Sequence, residues 1–116
     1  MGETQPLPAD VVATIESLLP LGTLGREQLL RQLPHTSLGR RCGCGCVTVD
    51  LVVDRDAIAP VSMDDRRNPA ASASAWQTGV VLLTDDGYLA CLEAYSSSDE
   101  PVTAWPPPHS LHFDDE

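Results

Sequence analysis

Three of the four cysteines, Cys42, Cys44 and Cys46, alternate with Gly43 and Gly45 directly behind the pair Arg40-Arg41. Three uses fit thiols at this spacing. The first is a metal centre. Thiolates with a nearby imidazole suit zinc, which takes four nitrogen or sulfur ligands in a tetrahedron, and the donors would be Cys42, Cys44 and Cys46 with His35 or Cys91. On a flat strand alternate sulfurs sit about 7 Å apart at the backbone, so three around one ion need a bend. Gly43 and Gly45 permit one, because glycine reaches conformations closed to other residues, and Arg40 and Arg41 would offset thiolate charge. The second use is thiol chemistry. The same arginines would lower a neighbouring thiol's pKa and His35 would serve as base, although no Cys-x-x-Cys motif and no third orienting residue accompany them. The third is packing alone, since unpaired cysteine behaves as a small hydrophobe, with the glycines marking close backbone approach. The sequence leaves all three open.

The remaining polar clusters carry less. Asp64-Asp65 and Asp85-Asp86 lack the spaced oxygens of a calcium loop, and Asp86-Gly87 is sufficiently explained as a turn. His109 and His112 merely flank Leu111. There is no glycine-rich phosphate loop, nucleophile elbow or serine triad signature. The expectation is therefore a non-enzymatic protein-binding or accessory module with no catalytic residues. The alternative is a zinc-stabilised module; apart from zinc no cofactor is expected.

These residues need elements to hold them. From Arg40 to Asp54 the chain alternates at period two, which predicts one long strand. One face would carry Val47, Val49, Leu51 and Val53 towards a core, and the reverse would carry the three sulfurs. Upstream, Pro8 and Asp10 suit a helix start. Val11, Ile15, Leu18 and Leu19 then recur at helical spacing until Pro20 and Gly22. A second helix covers Arg26 to Leu33 and stops at Pro34. Downstream, residues 57–71 read as a polar, mobile surface loop, and Ala73 to Trp76 as a short strand. Val80–Thr84 and Tyr88–Tyr95 flank Asp85-Asp86-Gly87 as a hairpin, because Gly supplies the positive φ of a tight turn. Trp105 and the three prolines after it suggest a polyproline segment that either docks on another protein or packs back on this sheet. The expected fold is α+β: an N-terminal helical pair packed on a small, mainly antiparallel sheet of about four strands. It forms one domain over residues 1–116, with 1–7 and 109–116 as loose tails.

Charge narrows the partners. With 17 acidic against 7 basic residues, all of them arginine, the net charge is −10. Such a field repels nucleic-acid backbones and anionic membranes and attracts a basic protein. A small acidic antagonist of a cationic toxin, an immunity-type role, is one specific form of this expectation. Met1 to Pro6 lacks the basic-then-apolar pattern of a signal peptide, so a cytoplasmic location with reduced cysteines is expected. The sequence leaves the oligomeric state open.

Two groups of residues carry a resemblance. Arg41-Cys42-Gly43-Cys44-Gly45-Cys46 followed by Val49-Asp50-Leu51 is one. Asp86-Gly87-Tyr88-Leu89 with Leu92-Glu93 and Asp99-Glu100-Pro101 is the other. Together they resemble a group of small proteins typical of GC-rich actinobacteria, over roughly residues 30–108. The resemblance implies a cysteine-glycine patch on a first strand and an Asp-Gly-Tyr-Leu turn in a later hairpin, and it brings no catalytic residues. Cys91 stands where such relatives would have a small or polar residue, which favours a three-cysteine over a four-cysteine set.

Overall fold

A seven-stranded antiparallel sheet carries two helices on one face. The structure is a computed structural model and describes residues 5–41, 46–98 and 100–113. In chain order the elements are β1 (Gln5–Pro6), α1 (Ala9–Leu18), α2 (Arg26–Gln32), β2 (Thr36–Arg41), β3 (Val49–Val53), β4 (Ala71–Ala75), β5 (Thr78–Asp85), β6 (Tyr88–Ser96) and β7 (His112–Phe113). The strands lie in the order β1-β2-β3-β6-β5-β4-β7. The α+β class and the helical pair agree with the sequence reading; the sheet is larger than the expected four strands. The edge pieces β1 and β7 are two residues each, and β1 pairs with β2 while β7 pairs with β4.

The largest revision concerns Arg40 to Asp54. Arg41 and Val49 are cross-strand partners, so the chain reverses between them and one long strand becomes two antiparallel ones. The aliphatic assignment survives this change: Val49, Leu51 and Val53 are buried while Asp50 and Val52 face outward. Alternation alone does not reveal a reversal, because Gly-Cys-Gly-Cys keeps the period of a strand whatever its path.

The helices form for the reasons the pattern gives. Val11, Thr14, Ile15 and Leu18 line one stripe of α1 and are buried, the i, i+3, i+4, i+7 spacing of an amphipathic helix. Asp10 sits in the first turn of α1; in α2, Glu27 sits in the first turn and Arg31 in the last, each matching the helix dipole. α1 lies against β4 and the tail, α2 against β6. Their apolar stripes meet Val80, Leu82, Leu89 and Leu92 in a single core. Each fully buried Leu or Ile contributes about 1.5–3 kcal/mol.

Three polar residues, Thr14, Gln32 and Thr36, are buried with that core among the described residues. Gln32 is 0% exposed. Its Nε2 donates to the Gly87 carbonyl at 3.0 Å, and its Oε1 accepts the Leu89 N–H at 2.9 Å. This amide therefore pins α2 to the β5–β6 hairpin. The hairpin turn is the expected one: Asp86 and Gly87 both have positive φ, 53° and 84°. Just beyond it, Ala90 is an extra residue between the pairs Thr84↔Leu89 and Leu83↔Cys91, a bulge that re-aims the strand.

The segment between β3 and β4 is held rather than loose. Val61 is buried and its N–H donates to Gly87 O at 2.9 Å. Arg66 Nε donates to Val61 O at 2.9 Å, and the Thr84 N–H donates to Asn68 Oδ1 at 3.1 Å. Trp105 packs back against the core, and Leu111 is buried beside it. The two hairpin systems join along a short seam, Val49↔Leu92 and Asp50↔Cys91. Past it, Thr48 substitutes its side chain for a backbone rung: Oγ1 donates to Ala94 O at 3.2 Å and accepts the Ala94 N–H at 3.0 Å.

Candidate functional site

The face of the sheet away from the helices is the candidate site. Cross-strand partners point to the same side, so the register assembles this face row by row. Ser37 stands beside Val52. Asp50, Cys91 and Leu83 form the next row, and Glu93, Val81 and Ser72 another. Tyr95, Gly79, Ser74 and His112 form the last. Val52 and Tyr95 are 53% and 52% exposed, whereas Val81, Leu83 and Cys91 are half-buried by their neighbours. The middle is thus aliphatic, with Asp50 and Glu93 beside it; on β2 the register shift sets Gly39 and Arg40 opposite Asp50.

Two glycines let side chains lie flat here. A Cβ at Gly39 would come within 3.0 Å of Asp50 Cβ and Val52 Cγ2, and one at Gly79 would collide with Cζ, Oη and Cε1 of Tyr95. The Tyr95 ring therefore lies across Gly79 of the neighbouring strand, an aromatic covering a strand glycine. Gly79 is buried as a consequence. Trp76, 85% exposed, stands at the tip of the β4–β5 turn at the same end of the sheet.

The cysteines divide. Cys42 and Cys44 lie outside the described residues. Cys46 is half-buried near the end of the β2–β3 hairpin, where the Val47 N–H donates to Val102 O at 2.9 Å. Cys91 is on the open face, a free thiol between Asp50 and Leu83. Burial, helped by the Asp50 and Glu93 carboxylates, pushes its thiol from 9.0 up to about 11. That environment suits neither a nucleophile nor a metal-bound thiolate. His35 is exposed at the opposite end of β2 from Arg41, and its carbonyl accepts the Asp54 N–H at 2.9 Å. Six residues of extended chain, about 20 Å, separate His35 from Arg41. The structure therefore does not bring His35, Cys46 and Cys91 to one point. Among the described residues no three His, Cys, Asp or Glu side chains are grouped to hold a metal ion.

The Asp85-Asp86 pair has a structural partner. Arg55 donates to Asp85 Oδ2 at 3.0 Å, lies 3.7 Å from Asp86 Oδ2, and stacks 4.6 Å from the Tyr88 ring centroid. Asp64 and Asp65 lie on a single helical turn over Met63–Asp65. An open cleft of about 550 Å³ runs between the α1–α2 connection and residues 59–65. Two of its polar groups, Arg26 and Gln28, are bonded to the carbonyls of Leu19 and Ala59. No helix among the described residues is long and apolar enough to cross a membrane.

Sequence reasoning missed the open face because its rows draw on strands distant in the chain. The signal that was present is the placement of Asp50, Val52, Cys91, Glu93 and Tyr95 at alternate positions to the core residues. Comparisons with protein-family models, with curated proteins and with solved structures found no match.

Proposed function

We propose that this chain is a non-enzymatic binding module and that its open sheet face receives a basic protein surface. The observation that carries this reading is the aliphatic centre of that face, formed by Val52, Val81 and Leu83, with the Asp50 and Glu93 carboxylates beside it. The net charge of −10 favours encounter with a cationic partner. It disfavours a second copy of the chain, since face-to-face stacking would bring the Asp50 and Glu93 rows of both copies together. Interface cores take aliphatic and aromatic anchors inside a polar rim, which is the composition found here. An antagonist that covers a cationic protein stoichiometrically is the specific role of this kind that size and charge support.

The test is affinity capture by the intact protein from its source cells at about 50 mM and about 500 mM salt, repeated with Asp50→Arg/Glu93→Arg and with Glu16→Arg on the exposed side of α1. A basic protein held at low salt, released at high salt, lost by the double variant and kept by Glu16→Arg supports the reading. Capture indifferent to salt, or to the double variant, removes it.

A further inference from the structure

We infer that Tyr95 and Glu93 form a seat for a single cationic side chain, so that the basic partner presents an arginine or lysine to the ring. This rests on the open face being the binding face, and adds which residue dominates there. Three observations support it. First, the ring is held flat by the absence of a side chain at Gly79, with half of its surface left to solvent. A fixed, exposed aromatic face loses little conformational freedom when something stacks on it. Second, Glu93 stands two residues away on the same side of β6, about 7 Å along the strand. A cation within about 6 Å of the ring centroid, the cation–π range, is therefore also in reach of that carboxylate. Third, no arginine of this chain stands in the rows around Tyr95, whereas Tyr88 on the same strand is already covered by Arg55. One tyrosine of β6 thus shows the arrangement completed within the chain, and Tyr95 shows the same arrangement open to an external cation.

Guanidinium suits the seat better than ammonium, since its plane stacks on the ring while its edge donates to a carboxylate. Gly79 acts as a positioning residue. Any side chain there must lift the ring off the sheet, removing the seat without removing the tyrosine.

The experiment uses the full chain, isotopically labelled, titrated with a hexa-arginine amide and separately with a hexalysine amide at low salt. Amide shifts should move along β6 and β5 around Tyr95 and Gly79, with hexa-arginine binding more tightly. Tyr95→Ala should weaken hexa-arginine binding about three- to fivefold, the range of an exposed cation–π contact, while Tyr95→Phe should stay within about twofold. Gly79→Ala should reproduce the Tyr95→Ala loss with Tyr95 still present. Equal binding by wild type and Tyr95→Ala, with loss in Asp50→Arg/Glu93→Arg, would overturn the seat and leave the open face as the binding surface. Shifts confined to the helix side would overturn both.

Discussion

The two faces of the sheet are built from the same strands and meet different fates. On β6, Leu92 faces the helices and is fully buried, while its neighbour Cys91 faces outward and is half-exposed. On β3, Val49, Leu51 and Val53 face in, and Asp50 and Val52 face out. The inner face is closed by α1, α2 and the tail, and its buried amide, Gln32, has its donors and acceptor engaged. The outer face has aliphatic groups that none of the described elements covers. The lesson is that period-two alternation marks which side is packed by the chain itself, and leaves the other side available for something else.

The comparison can be broken most sharply on β6. Leu92→Ala should destabilise the protein by about 2–5 kcal/mol, as a truncation that leaves a cavity. Cys91→Ala, one residue away, should cost less than about 1 kcal/mol, both read from urea unfolding midpoints. Comparable losses would mean that the outward face is also packed. The next largest effect belongs to the inner face's polar pin. Gln32→Leu keeps the volume but leaves the Leu89 N–H without its partner and the Gly87 carbonyl with only its Val61 bond. A loss of about 1–3 kcal/mol is expected, and a neutral result would refute the pinning role. The smallest effect concerns the outer thiol. With Cys42, Cys44 and Cys46 replaced by serine, iodoacetamide should alkylate native Cys91 slowly at pH 8, the rate rising towards pH 11. The sign for stability follows from the same shift. The folded thiol is raised above its unfolded value of 9.0, so its contribution is present below pH 9 and is lost as pH rises towards about 11. Fast alkylation at pH 8 would show that the flanking carboxylates and burial do not govern this group.

Much of the inner face was legible in the residues. The spacing of Val11, Ile15 and Leu18, the stop at Pro20, the Asp86-Gly87 turn and the inward set Val49, Leu51 and Val53 all carry local signals. What lacked a local signal was not legible. The reversal between Arg41 and Val49 is hidden because glycine and cysteine alternate with the period of a strand. β1 and β7 are too short to show any period. Gln32 resembles a surface residue of a helix until the hairpin 55 residues later is brought against it. The tether of residues 57–70 depends on Val61 and Arg66 meeting Gly87, a contact no composition rule anticipates. Of the candidate site, the parity of Asp50 and Glu93 was visible, but their proximity required the β3–β6 register.

That register has a kinetic corollary. The β2–β3 hairpin and the β4–β5–β6 meander each pair residues close in sequence, whereas the seam at Val49↔Leu92 and Asp50↔Cys91 closes a far longer loop with only two rungs and the Thr48 hydroxyl. Contacts between distant residues are entropically the slowest to form. The seam is therefore expected to close last, and the one row of the open face that crosses it, Asp50 beside Cys91 and Leu83, is complete only when the two halves have met.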